Sequence, residues 1–149
     1  MAAVDSLLEK IKSDNPDVRT EGWLSAGRFG AAAIKPLADL AVKAELEVGR
    51  AAQRAMWKIV RQAGHPATPA DPKGQVVGEL QGLLAEGQPD ALRREVLWML
   101  SEIAGNESVG QIAALLKHRE LREDARMVLD RIPGDQSLAA LKTALGQTN

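Results

Sequence analysis

The sequence predicts an all-α chain, a right-handed α-α superhelix of four helix pairs closed by a C-terminal half repeat. Three observations carry this: a composition suited to close helix packing, a thirteen-position pattern that occurs four times, and an apolar stripe preceding each occurrence. Of 149 residues, 45% are apolar, with one Phe, three Trp and no Tyr. Ala and Leu dominate that fraction, and both form helices at little entropic cost. A chain of this length can bury about two-thirds of the surface its unfolded form exposes, enough for one continuous core.

Residues 18–30, 48–60, 92–104 and 121–133 align without gaps. Position 1 reads Val18, Val48, Leu92, Leu121, and position 5 reads Gly22, Ala52, Val96, Ala125. Positions 8, 9 and 12 read Ser25, Ala55, Met99, Val128; Ala26, Met56, Leu100, Leu129; and Phe29, Ile59, Ile103, Ile132. Offsets 1, 5, 8, 9 and 12 trace the buried stripe of an amphipathic helix. Four equivalent second helices are implied.

Each is preceded by a first helix with its own stripe. These are Val4, Leu7, Leu8 and Ile11; Ile34, Leu37, Leu40 and Ala41; Val76, Val77, Leu80, Leu83 and Leu84; and Val109, Ile112, Leu115 and Leu116. Pro16 and Pro89 stand where a helix can start but not continue, and Asp17 and Asp90 add negative charge to the first turn. Asp135, after Pro133 and Gly134, is the expected N-cap of a last helix that would cover the open end. The expected organisation is one domain, 1–149, with repeats at about 2–30, 31–63, 74–105 and 106–134 and a half-repeat cap at 135–146. Residues 62–74 hold three prolines and two glycines and are expected to form an inter-repeat loop, either a tolerated insertion or a binding loop.

The Val18-Arg19 pair after the turn Asp14-Asn15-Pro16-Asp17, the small residues that follow, and the apolar-Arg pairs Leu92-Arg93 and Leu121-Arg122 resemble HEAT repeats. The resemblance is to the short variety found in phycobilin-lyase-type proteins and covers about residues 3–146. Repeat two departs from the pattern with Gly49 where the Arg belongs. The resemblance implies a solenoid whose surfaces serve partners, and an inter-repeat ladder in which Arg19, Arg93 and Arg122 meet turn acids such as Asp14. A few members of the family bind nucleic acid or act on bilins, so a bilin-lyase-like role is a further, weaker alternative.

No catalytic, metal-ligating or cofactor-binding constellation is expected, and the chain is read as a non-enzyme. There is no Cys, which excludes a disulfide framework and any thiolate zinc site. His65 and His118 lie in different loops and are expected to be solvated. The segment Gly27-Arg28-Phe29-Gly30 lacks the preceding strand of a phosphate loop. The acidic pairs Glu45/Glu47 and Glu123/Asp124 are expected to be solvated faces. The net charge of -1 sets up no overall field for nucleic acid or an anionic membrane. A start without a basic segment and apolar run, and no apolar run of about 18 residues, make a soluble cytoplasmic protein the expectation.

The candidate partner-binding face lies on the second helices, the concave side of a solenoid. Trp23, Trp57 and Trp98 stand outside the buried stripe, so each either packs between repeats or anchors a partner. Arg50, Arg54, Trp57, Lys58 and Arg61 fall at i, i+4, i+7, i+8 and i+11, one face of a helix, and Arg94 accompanies Trp98. Two functions follow: a protein-interaction or scaffold module for a partner the sequence does not name, or a binder of nucleic acid or another polyanion through the basic stripe.

Overall fold

The computed structural model describes residues 2–147; Met1, Thr148 and Asn149, the ends of the expected 1–149 domain, lie outside it. Among the described residues the fold is all-α, without strands. Its α-helices are α1 (Ala2–Lys12), α2 (Pro16–Leu24), α3 (Ile34–Lys43), α4 (Leu46–Ala63), α5 (Ala70–Gly82), α6 (Asp90–Ile103), α7 (Val109–Ala114), α8 (Arg122–Arg131) and α9 (Asp135–Gln147). Short 3-10 stretches cover Ala26–Ala33, Asn106–Ser108 and Leu115–Lys117. No helix among the described residues is long and apolar enough to cross a membrane. Packing resolves into two compact units, one up to Glu79 and one from Leu80 onward.

In the first unit, α1 packs on α2, α3 on α4, and α2 on α4. Leu7, Ile11, Ile34, Leu37, Met56 and Ile59 are its largest fully buried side chains. Burial of each contributes about 1.5–3 kcal/mol. Helix α2 starts as its sequence dictates: Pro16 occupies the first turn and the Asn15 side chain accepts from the Asp17 N–H at 2.9 Å. Helix α4 is capped by an unexpected residue. Glu45, exposed as expected, is the N-cap, and its carboxylate accepts from the Val48 N–H at 2.8 Å and the Glu47 N–H at 3.1 Å. The Val48 N–H above all, then the Glu47 N–H, hold its carboxyl below the ordinary glutamate value.

In the second unit α6 packs on α8, α7 on α8, and α9 on both α7 and α8. Leu97, Met99, Leu100, Ile112 and Leu121 fill its core. Ser137 ties α9 down: its buried hydroxyl bonds the Ile132 carbonyl at 2.7 Å. Gly134 turns the chain there at φ 112°, so α9 begins at Asp135 itself and the expected N-cap becomes the first helical residue.

The residues at ruler positions 1, 5, 8, 9 and 12 are buried except Val18, Ser25 and Phe29, all in the first segment. Helix α2 stops at Leu24, and Gly30 stands at φ 68°, ψ −157° within the 3-10 stretch, so the expected continuous helix to residue 30 does not form. The stretch without helix between α4 and α5 is residues 64–69, shorter than the expected 62–74 loop. Pro72 caused the overestimate; as third residue of α5 it has no N–H to lose from the ladder.

Of the expected arginine contacts with turn acids, Arg93 keeps one, to Asp90 at 3.4 Å, and the closer contacts of Arg19 and Arg93 are to carbonyls. Arg19 donates from Nη1 to the Ser13 carbonyl at 2.9 Å, and buried Arg93 donates from Nε to the Leu84 carbonyl at 3.1 Å. Both carbonyls follow the end of a first helix, where backbone acceptors have no partner in the helix. In repeat two the same position is Gly49, because a Cβ there would stand 3.2 Å from the Ala41 carbonyl oxygen. The backbone of α3 fills the space an arginine stem would need.

Candidate interaction face

Helix α4 runs unbroken for 18 residues, which holds Arg50, Arg54, Trp57, Lys58 and Arg61 on one side. Its opposite side is buried through Val48, Ala52, Ala55, Met56, Ile59 and Ala63. Arg50 is ion-paired to Glu47 one turn earlier at 3.6 Å. The other three cations meet aromatic rings instead. The Arg54 guanidinium carbon lies 5.6 Å and the Lys58 Nζ 5.7 Å from the centroid of Trp23 on α2, and the Arg61 guanidinium carbon lies 5.0 Å from that of Trp57. Each such contact contributes about 0.5–1 kcal/mol at an exposed site. Trp23 and Trp57 are half-buried, while Arg54 and Arg61 are exposed. Among the described residues, no carboxylate lies within 4 Å of Arg54, Lys58 or Arg61.

Arg94 and Trp98, the other two candidates, belong to the second unit and have a carboxylate between them. Asp124 on α8 accepts from Arg94 Nε at 3.1 Å and from Trp98 Nε1 at 2.9 Å, and Arg94 also donates from Nη2 to the Glu120 carbonyl at 2.9 Å. Trp98 is 42% exposed. Of the acidic pair Glu123/Asp124, Glu123 is exposed as expected and pairs with exposed Arg126 at 2.9 Å, whereas Asp124 is half-buried and neutralises the Arg94 side.

His118, expected to be solvated, is half-buried beside Arg93 and Asp90. Its Nδ1 accepts from the Glu120 N–H at 3.2 Å, and its Nε2 lies 3.5 Å from Arg93 Nη1 and 3.7 Å from Asp90 Oδ1. Arg93 Nη1 adds a 3.4 Å contact to the same Asp90 oxygen. Asp90 and His118 are the carboxylate and imidazole of this cluster. Among the described residues no group of three or more His, Cys, Asp or Glu could hold a metal ion.

Three of the side-chain contacts between second helices share one register. Trp23 at position 6 meets Arg54 at position 7, Arg94 at position 3 meets Asp124 at position 4, and Ser101 at position 10 accepts from Arg131 at position 11 at 3.2 Å. The same one-position step occurs from α2 to α4 in the first unit and from α6 to α8 in the second. Sequence reasoning found the residues but not these pairs, which only an alignment of successive ruler segments, shifted by one, would have suggested.

No family model and no curated protein matches the chain. Among solved structures it is similar to two engineered proteins from the Northeast Structural Genomics Consortium. One matches with TM-score 0.48 and 21% identity, over 98% of this chain and 69% of the other. The second matches with TM-score 0.46 and 21% identity, over 98% of this chain and 42% of the other.

Proposed function

We propose that the chain is a non-catalytic binding module built from HEAT-like repeats, and that the α2/α4 face of its first unit holds an acidic segment of a protein partner. The observation that carries this is the trio Arg54, Lys58 and Arg61, cations without a carboxylate partner, stacked on two half-buried indoles. Arginine and tryptophan supply both charge complementarity and flat apolar contact, the two components that dominate interface hot spots. The HEAT-like reading is supported by the four aligned segments and by the one-position register between second helices in each unit.

Magnitude favours a protein over a nucleic acid. Three cations would neutralise about three phosphates, a slope of about −2 in log K against log salt on a single strand, which is a weak electrostatic hold. The rest of the chain adds no positive field, since the whole chain, these three cations included, has a net charge of -1. The test uses two labelled probes, a peptide alternating Glu with Phe or Leu and an oligothymidylate, followed by fluorescence anisotropy across a salt series. The peptide is expected to bind more tightly and with the shallower salt dependence. Replacing Arg54, Lys58 and Arg61 together by Gln is expected to remove binding while circular dichroism still shows a folded helical chain. Tighter oligothymidylate binding with the steep slope would favour the polyanion reading, and binding of neither probe would overturn both.

A further inference from the structure

A second site lies elsewhere in the first unit, where the repeat pattern fails. In the other three segments position 12 is a buried isoleucine, Ile59, Ile103 or Ile132. In the first segment it is Phe29, half-buried, because α2 has ended and Gly30 has turned the backbone into a conformation that suits glycine. A cleft of about 830 Å³ lies between the Ala26–Ala33 stretch and the 64–69 loop. Clefts of this size are typical of small-molecule sites. The site involves none of the residues in the proposed interaction face.

We propose that this cleft binds a small organic anion, a carboxylate or phosphate carried on an apolar body. The chemistry of the lining is one-sided. Among the described residues Arg28 is the only charged one that lines it, and no Asp or Glu does. The Arg28 guanidinium is exposed and stacks on the Phe29 ring, its carbon 5.1 Å from the centroid. No carboxylate lies within 4 Å of it among the described residues. His65 lines the cleft too, and its Nδ1 accepts from the Ala67 N–H at 3.1 Å. The neutral ring therefore carries its proton on Nε2, a second donor for an anion. Phe29, Ala32, Pro69 and Pro72 supply apolar lining for the body of the ligand.

The loop that carries His65 is tied in place before any ligand arrives. Thr68 donates from its hydroxyl to the Gln62 carbonyl at 2.6 Å, and its N–H bonds the His65 carbonyl at 2.9 Å. The His65 N–H in turn bonds the Gln62 carbonyl at 3.2 Å. A wall fixed in this way loses little freedom on binding, which favours affinity for a small ligand.

The experiment titrates the full-length ¹⁵N-labelled chain with 3-phenylpropionate, phenyl phosphate, 3-phenylpropanol and inorganic phosphate, each to roughly 10 mM, the range of weak millimolar binding. The two aryl anions are expected to give saturable amide shifts centred on residues 27–32 and 64–68. The neutral alcohol and bare phosphate, each lacking one half of the chemistry, are expected to bind at least about tenfold more weakly, the loss of one charge-assisted contact. Arg28→Gln should weaken the aryl anions by about the same factor. His65→Gln provides an independent variant in case Arg28→Gln disturbs the 3-10 stretch. Three results would overturn the proposal: no saturable shift with either aryl anion, equal binding of the alcohol, or shifts confined to Arg54, Lys58 and Arg61. Unchanged binding in both folded variants would do the same.

Discussion

The arginines at ruler position 2 allow a graded stability test. Arg93 is 5% exposed, and its Nε donates to the Leu84 carbonyl at 3.1 Å. Replacement by Met keeps the apolar stem but removes the donor. Losing a charge-assisted bond to a buried carbonyl costs about 1.5–3 kcal/mol. The Asp90 contact at 3.4 Å adds little, since the Asp90 side chain is 42% exposed and solvent screens it. Relief from burying the guanidinium offsets part of the loss. The expected net destabilisation of Arg93→Met is about 2 kcal/mol, or about 4–8 °C in melting temperature for a chain of this size. Arg19 is half-buried with one bond to the Ser13 carbonyl, so Arg19→Met is expected to cost about 1 kcal/mol. Arg122 is exposed, and Arg122→Met is expected to stay within about 0.5 kcal/mol of the wild type. Urea denaturation followed by far-ultraviolet circular dichroism ranks the three. Equal effects at Arg93 and Arg122 would refute the carbonyl-binding role.

Three further outcomes can be checked independently. Gly30→Ala is expected to cost about 1–3 kcal/mol through torsion alone, since its Cβ would meet nothing within 4 Å while φ stays at 68°. Gly78→Ala, also in open space but inside α5, is the control and is expected to be neutral or stabilising by up to about 1 kcal/mol. Glu45 has a lowered pKa, so its capping contribution is full above the ordinary value of 4.5 and fades as the pH falls towards the lowered one. The melting temperatures of wild type and Glu45→Gln should therefore differ at pH 7 and converge in acid; divergence on acidification would contradict the cap. Asp124→Ala is expected to shift the indole N–H resonance of Trp98, which loses its 2.9 Å acceptor, with a stability loss of about 1 kcal/mol or less because Arg94 and Trp98 both reach water. An unmoved resonance would place that indole elsewhere.

The helical character of the chain was legible because burial at 3.6-residue spacing leaves a periodic trace: Ala52, Ala55, Met56 and Ile59 declare the inner side of α4 without reference to any other segment. Where the outcome depended on a backbone approaching from another helix, the trace was silent. Gly49 read as a defect in the repeat until the Ala41 carbonyl was seen to occupy the arginine's place. Gly27 and Gly30 stood in the ruler as small residues. Their spacing gave no hint that α2 would end at Leu24, or that a Cβ on Gly27 would stand 3.3 Å from the Lys58 carbonyl oxygen. Glu45 was passed over because N-caps are usually Ser, Thr, Asp or Asn; here a longer carboxylate reaches two N–H groups. Pro72 was read as a breaker although the first turn of a helix tolerates it.

The candidate face was legible as a list of residues but not as a distribution of charge. At position 4 the last segment has Asp124 and the second has Ala51. Asp124 reaches back one register step to hold Arg94 at position 3 and extends to Trp98 at position 7. In the first unit the same step joins Ala51 of α4 to Thr20 of α2, and neither carries a charge, while the cations of α4 lie over indole rings. A cation over an aromatic ring retains most of its capacity for a carboxylate, because the ring supplies only a weak quadrupole and no hydrogen-bond acceptor. Identical helical spacing thus yields a neutralised surface in the second unit and a receptive one in the first. For that reason the proposed partner contact belongs to α2 and α4, and Arg94 and Trp98 are better tested as parts of the fold than as parts of the face.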